Sequence, residues 1–415
     1  MKRSRIICSI VTVIYVVLSV ALTLILVKSG LNTESSVSMY LKAIHIAVFG
    51  ICTLMYAFVK NKLAKKMSNE SLSVSISKIY NYLYLFVITF VTRFVMAYVF
   101  KDTMSIVNPS FSNGIFSYLN YGLGLYIGNQ MYANVILNTI LAFVSCILIK
   151  KLILNITDND TIATTTSIMY LLLPQALVYV TEHAKFSYNV VVILLGLLVF
   201  VKIIQEVQNF NKKDNKYLIY SLIFGVIQSV DIILGGTYMM WVAMHIFVTF
   251  AAMYIATLRV RLRFNSSSSY KMKRYAEKIE RINISKLILV SLVSLAVSGL
   301  IALLYGEFSL ANNYQMFSVT NSLNVLMHSR NYYLVLIISA LVFEIIGVVL
   351  KRKLDIKMFG IKVLFVSSGI VTFFMVDTTY AAAVFDTLLI LTSVLNVCNI
   401  CYNREERVKL LKDKN

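Results

Sequence analysis

Residues 131–149 read MYANVILNTILAFVSCILI and are followed at once by Lys150 and Lys151. The run contains no charged residue, and a helix needs roughly 17–25 predominantly apolar residues to cross the hydrocarbon layer of a membrane. Its apolar residues are continuous, whereas a strand of a membrane barrel alternates apolar and polar residues. The stretch therefore predicts a transmembrane helix that ends at a basic turn.

The composition of the whole chain agrees with this first stretch. Of its 415 residues 59% are apolar and 14% are charged, and the mean hydropathy is +0.77. Soluble domains contain about 45–50% apolar and about 25% charged residues. Because a water-soluble fold cannot hide so much apolar surface, the composition predicts an all-α, polytopic integral membrane protein.

Similar apolar runs recur along the whole chain and predict a bundle of about twelve transmembrane helices. They lie near 6–27, 40–59, 80–100, 131–149, 161–181, 184–203, 217–235, 237–258, 286–305, 331–350, 359–376 and 381–402.

The basic residues orient this bundle, because cytoplasmic loops of membrane proteins are enriched in Lys and Arg. With both termini in the cytoplasm, nearly all of the 39 basic residues fall in inner segments. The six exceptions are Lys28, Lys42, Arg93, Lys101, Lys185 and Arg330. The pattern also predicts a long outer loop at 101–130, whose Tyr, Phe, Gly and Leu residues indicate short helices lying in the membrane interface.

The charge distribution excludes several classes of function. The net charge of +20 is spread over all the inner loops, as membrane insertion requires, so we expect no binding to nucleic acid. The four histidines and five cysteines show no metal-ligand spacing, and we find no nucleotide-binding motif. We therefore assign no metal-binding residues, while leaving open whether a divalent metal takes part as a cofactor.

Charged residues near the outer membrane surface are the candidate functional residues, because such groups are costly in lipid. Some flank the first long outer loop, some form the short turn between the fifth and sixth helices, and the rest flank later outer segments. They are Arg93, Lys101 and Asp102, then Glu182, His183 and Lys185, and finally Asp231, His328 and Arg330.

The stretch from about 80 to 205 resembles the front half of a GT-C-type glycosyltransferase, a polytopic enzyme that takes sugars from polyprenyl-phosphate carriers. The resemblance covers roughly 125 residues. A helix leads into a large outer loop with an acid near its start, here Asp102. An asparagine-containing apolar helix follows, here Tyr132–Leu141, and then a helix with a proline and an acid, here Pro174 and Glu182.

The resemblance implies roles for the candidate residues and a division of the chain. Asp102 is the expected catalytic base, Arg93, Lys185 or Arg330 would hold the lipid phosphate, and Glu182 and His183 would line the same pocket. Lys101, Asp231 and His328 are further candidates for substrate binding. Two extra helices (1–79) would precede a GT-C-like core (80–258), followed by a basic inner loop (259–285), further helices (286–403) and a basic tail (404–415).

The expected function is transfer of a sugar from a polyprenyl-phosphate-linked donor to a glycan or lipid acceptor, within membrane lipids and in a bacterial cytoplasmic membrane. The first alternative is a transporter or flippase for a lipid-linked or amphipathic anion, which requires charges facing one another at mid-membrane depth. The others are a glycan polymerase or ligase, and a non-enzymatic membrane subunit. The absence of acids between Thr103 and Gln130 favours the last of these.

Simpler interpretations of the same residues also remain. Asp102 fits a solvated helix end that pairs with Lys101. Arg93 fits a side chain that extends to the outer headgroups. Glu182, His183 and Lys185 fit an ordinary polar turn.

Overall fold

The computed structural model describes residues 70–99, 115–171, 185–208, 216–233, 238–263, 270–304 and 387–397, together with isolated helical positions within 10–17, 341–346, 361–366 and 383–384. All regular structure in these ranges is helical. In chain order, the helices are α1 (Glu70–Val99), α2 (Ile115–Ile127), α3 (Gln130–Thr157), α4 (Asp160–Leu171), α5 (Lys185–Gln208), α6 (Lys216–Ile233), α7 (Tyr238–Arg263) and α8 (Tyr270–Leu304).

The described helices confirm the all-helical class and include candidate membrane spans. Four stretches are long and apolar enough to cross a membrane, namely Gln130–Thr157, Phe186–Val207, Lys216–Ile233 and Glu277–Leu304. Three shorter apolar helices are Ile79–Phe94, Trp241–Tyr254 and Thr387–Val397. All seven coincide with runs predicted above, while the total of about twelve spans and the orientation of the termini stay predictions.

Local sequence fixes where α3 begins and ends. The side chain of Asn129 accepts hydrogen bonds from the backbone N–H groups of Met131 (2.9 Å) and Tyr132 (3.4 Å), an N-cap that suits asparagine. Asp158 ends the helix in the left-handed conformation (φ 50°), and Asn159 then caps α4. This two-residue turn allows α4 to pack back against α3.

The described helices form two packed groups that share α5. Helices α1, α3 and α4 contact one another, and so do α6, α7 and α8. Helix α5 packs against α3 on one side and against α6 on the other. All eleven residues of the Thr387–Val397 helix are buried, and its apolar side chains belong to the same continuous core as those of α3 and α5.

Small residues allow α6 and α8 to approach closely. Ser221, Gly225 and Ser229 are buried and recur every four residues on one face of α6. A Cβ atom placed on Gly225 would lie 2.8 Å from the backbone oxygen of Ser294 and 2.8 Å from the Cβ of Val297 in α8. Close backbone contact at small residues is a common way to pack helices in membranes, where no hydrophobic effect drives them together.

Candidate functional site

Buried amides gather where α3 and α5 begin, at the end of the bundle that the charge distribution predicts to be outer. Ser187 in the first turn of α5 donates a hydrogen bond of 2.8 Å to Oδ1 of Asn138 in α3. Asn134 lies one turn earlier on the same face of α3 and is also buried. The first turn of α5 therefore lies against α3 at Asn138.

Helix α2 of the predicted outer loop packs against this end of α3. A Cβ atom on Gly124 would lie 3.1 Å from the Cα of Gln130, so the two backbones approach closely there. Asn120 is buried and lies one turn before Gly124, on the side of α2 that meets α3. We call Asn120, Asn134, Asn138 and Ser187 the amide cluster.

Two oxygens of the amide cluster have no protein partner among the described residues. The Oδ1 atoms of Asn120 and Asn134 are buried and accept no hydrogen bond there. Leaving a buried acceptor without a partner costs about 1–3 kcal/mol, so native proteins rarely tolerate it without a function or a bound molecule. An amide carries both an acceptor and a two-proton donor, which matches the hydroxyl groups of sugars.

Of the site residues predicted at this end, the structure describes the backbone of Lys185. Lys185 is the first residue of α5 and lies two positions before Ser187. The segment 100–114 enters α2 and carries Lys101 and Asp102, while the segment 172–184 enters α5 and carries Glu182 and His183. Those four residues, together with His328 and Arg330, lie outside the described residues.

Arg93 belongs to a deeper place in the bundle. It is 2% exposed and lies within electrostatic range of Tyr170 in α4 and Cys146 in α3. Cys146 follows Asn138 by eight residues, a rise of about 12 Å along α3. The structure therefore places Arg93 between helices rather than among the outer headgroups, and below the amide cluster rather than within it.

Asp231 is the other predicted site residue that the structure describes. Its carboxylate is fully buried in α6 and accepts a hydrogen bond of 2.8 Å from Nε1 of Trp241 in α7. Arg93 belongs to the α1–α3–α4 group and Asp231 to the α6–α7–α8 group. The structure thus does not bring the two candidate charges into one site.

A buried polar network joins α6, α7 and α8 one turn away from Asp231. Nε2 of His245 lies 2.7 Å from Nε2 of Gln228, and its Nδ1 lies 3.0 Å from Oγ of Ser291. Ser294 also reaches His245 at 3.2 Å, and Ser298 donates to Gln228 at 3.1 Å. The spacing of Ser291, Ser294 and Ser298 puts them on one face of α8, but no sequence pattern predicts that this face meets His245.

This network borders a small cavity between α5, α6 and α7. The cavity has a volume of about 20 Å³, and its walls include Gly196, Phe224, Trp241 and His245. A space of about 10–15 Å³ can hold one water molecule, so this cavity is too small for a sugar or a lipid head group. The geometry here fits a packed polar contact between helices rather than a substrate site.

Replacing His245 with phenylalanine is expected to lower stability by about 1–3 kcal/mol, because Gln228 and two serines lose a buried partner. The measurement is the apparent melting temperature of the purified protein in detergent. Thr249→Val is the control, since the Thr249 hydroxyl bonds only to the backbone of its own helix at His245. An equal decrease in both variants would show that the network adds nothing beyond side-chain packing.

A second contact missed by the sequence analysis lies at the opposite end of α3. Lys150, there assigned to a basic inner turn, is buried and lies 3.1 Å from Oδ1 of Asp160 at the start of α4. Asn81 of α1 donates a hydrogen bond to the other carboxylate oxygen of Asp160. The Nζ of Lys150 also lies 4.5 Å from the ring centre of Tyr82. This contact therefore fastens α1, α3 and α4 together.

The described residues contain no group of three or more His, Cys, Asp and Glu side chains placed to hold a metal ion. Comparisons with protein-family models, with curated proteins and with solved structures gave no match to this chain. Function is therefore inferred from the residues of the chain itself and from the resemblance in its sequence pattern.

Proposed function

We propose that this protein is a membrane glycosyltransferase that moves a sugar from a polyprenyl-phosphate-linked donor to an envelope glycan or lipid at the outer face. The observation that carries the proposal is the amide cluster. It offers buried amides, two of whose oxygens have no partner among the described residues, near the first turn of α5 and at the end of the bundle where the long outer loop enters α2. A sugar phosphate combines hydroxyl groups for such amides with a negative charge for a lysine.

In the proposed reaction, a hydroxyl oxygen of the acceptor attacks the anomeric carbon of the donor sugar from the face opposite the phosphate. The new bond forms while the bond between that carbon and the phosphate oxygen breaks, and the electron pair leaves with the polyprenyl phosphate. Asp102 takes the proton of the attacking hydroxyl as general base. Lys185 offsets the charge of the departing phosphate.

The transport alternative requires opposite charges that face one another within the membrane. The candidates for such charges are Arg93, Asp231 and Glu344. The first two lie in separate helix groups, and Glu344 lies outside the described residues. The amide cluster, which combines helices α2, α3 and α5 at one end, favours binding of a polar head group at a membrane surface.

A deletion strain complemented with defined variants tests the proposal. The measurement is a mass-spectrometric profile of envelope glycans and of polyprenyl-linked sugars. We expect the deletion to remove one sugar from the glycan and to accumulate its lipid-linked donor. Wild type should restore the profile and Asp102→Asn should not, since an amide cannot accept the proton. The variant Glu182→Gln tests whether the carboxylate of Glu182 also contributes to sugar transfer.

Asn134→Leu extends the test to the amide cluster, with Asn155→Leu as the matched control. Asn155 is exposed near the other end of the same helix, so both variants add the same side chain to α3. We expect sugar transfer to decrease at least about tenfold in Asn134→Leu, equivalent to losing about 1.4 kcal/mol, and to persist in the control. A profile unchanged by the deletion itself would reject the transferase.

A further inference from the structure

The unpartnered buried atoms of the amide cluster are two carbonyl oxygens, which are hydrogen-bond acceptors. Oδ1 of Asn120 in α2 and Oδ1 of Asn134 in α3 are buried, and neither accepts a hydrogen bond within the part of the chain that the structure describes. The third amide differs, because Oδ1 of Asn138 already accepts a hydrogen bond of 2.8 Å from Ser187. A molecule that completes the cluster must therefore bring hydrogen-bond donors.

The two unpartnered oxygens belong to different helices. Asn120 lies on the side of α2 that meets α3, whereas Asn134 lies on α3 itself, one turn before Asn138. A ligand that satisfies both oxygens therefore needs at least two separate donors. A sugar ring has several hydroxyl groups at different positions, so it can supply them from one molecule.

Among the groups that sugars carry, hydroxyl and N-acetyl groups have the required chemistry. A hydroxyl group has one donor and two acceptor lone pairs, and the N–H of an N-acetyl group is a donor. An ionised carboxylate has acceptors only and would set its lone pairs against those of Asn120 and Asn134. Rotation of an Asn side chain exchanges its oxygen and nitrogen, and a hydroxyl group fits either orientation.

The helices around the cluster contain no charge that could offset a charged sugar. Residues 115–149 contain no acidic or basic residue and no histidine, and neither do residues 186–201. Lys185 begins α5, and the proposed reaction already uses it for the phosphate. Because moving an ion out of water costs several kcal/mol unless an opposite charge compensates it, a charged ring is disfavoured in this site.

From these observations we infer that the amide cluster selects an uncharged sugar as the one transferred, a hexose, a deoxyhexose or an N-acetylhexosamine. Its hydroxyl or N-acetyl donors would reach the oxygens of Asn120 and Asn134. The inference rests on the proposed function and adds to it the class of sugar. It excludes uronic acids, phosphorylated sugars and sugars with a free amino group.

Direct binding to the purified full-length chain in detergent tests this selection. Saturation-transfer difference NMR compares glucose, galactose, mannose, N-acetylglucosamine and N-acetylgalactosamine with the charged sugars glucuronate, galacturonate and glucosamine. We expect at least one uncharged ring to bind at least about tenfold more tightly than its charged counterpart, a difference of about 1.4 kcal/mol.

Substitutions test whether the amide cluster is the site of this binding. Asn120→Leu and Asn134→Leu each remove an acceptor, so each should weaken binding of that sugar at least about tenfold. The control Asn155→Leu, at an exposed position of α3, should bind it as the wild type does. Asp102→Asn should also bind it, because a general base acts in the reaction step. Where a leucine variant is not monodisperse, the corresponding alanine variant replaces it.

The glycan profile of the deletion strain separates a wrong class of sugar from a wrong function. Loss of a uronic acid or another charged sugar would overturn the inference and leave the transferase in place. A deletion that removes no sugar would reject the transferase, and binding alone would then decide whether the amide cluster selects uncharged sugars. Equal binding of charged and uncharged rings, no binding of any sugar, or binding insensitive to Asn120→Leu and Asn134→Leu would overturn the inference in either case.

Discussion

Gly225→Leu is expected to prevent α6 from packing against α8 and to reduce the yield of folded protein to a small fraction of the wild type. Even a Cβ atom at this position would lie 2.8 Å from backbone and side-chain atoms of α8. Excess volume in a packed core costs about 1–3 kcal/mol where side chains can adjust. Here one obstacle is the carbonyl of Ser294, which cannot move without its helix, so we expect a loss of more than about 3 kcal/mol.

The measurement is the fraction of monodisperse protein on size-exclusion chromatography after extraction in mild detergent. Gly122→Leu is the matched control, because a Cβ atom at Gly122 in α2 meets no atom within 4 Å. We expect this control to resemble the wild type. A Gly225→Leu protein that remains monodisperse and melts normally would show that α6 and α8 can separate without loss of the fold.

Asp160→Asn is expected to destabilise the protein by about 3 kcal/mol, because it leaves the ammonium group of Lys150 buried without its carboxylate. The side chain of Lys150 is only 3% exposed, whereas that of Asp160 is 31% exposed. Removing the carboxylate of Asp160 therefore leaves a charge on Lys150 that water cannot solvate. Lys150→Met should cost less, since water solvates the remaining Asp160.

The double variant Lys150→Met with Asp160→Asn makes this asymmetry measurable. Removing both charges of a buried pair is often neutral or stabilising relative to removing one. We therefore expect the double variant to melt at a higher temperature than Asp160→Asn alone, in the same detergent assay. A double variant that melts no higher than that single variant would show that the buried charge is not the cause of the instability.

Hydropathy and local signals predicted the helices well because each depends on a single segment. The run at 131–149 lies within α3, a candidate membrane span. The helix begins directly after Asn129 and ends at Asp158, both of which are polar. The aromatic and glycine-rich part of the outer loop predicted a short helix, and α2 lies there. Its placement in the membrane interface stays a prediction.

The sequence alone does not predict which helices pack together, because that depends on which helix faces meet. In the sequence, Lys150 looks like any other residue of a basic turn. Only the packing of α4 against α3 shows that it contacts Asp160. Gln228 and His245 are 17 residues apart on different helices, and no sequence pattern in either helix predicts their contact. The cost of charge in lipid made the charged residues at the outer surface the candidates, whereas the buried polar residues described at that end include uncharged asparagines.

Arg93 shows that position along a helix does not reveal whether a side chain faces lipid or neighbouring helices. Six residues separate it from the end of α1, which suggested a place near the outer surface. Helical side chains lean towards the N-terminus of their helix, and on α1 that direction leads away from the outer end. Its neighbours Tyr170 and Cys146 lie in the same deeper layer of the bundle.

The buried helix Thr387–Val397 has a consequence for how the protein is made. Ribosomes release a chain from its N-terminus onwards, so this helix leaves the ribosome after α1 to α8. Yet its residues are enclosed on every side, among the same core as α3 and α5. We therefore expect the core to be completed only after this helix has been made. A chain that stops before residue 387 would lack the apolar side chains that this helix contributes to the core.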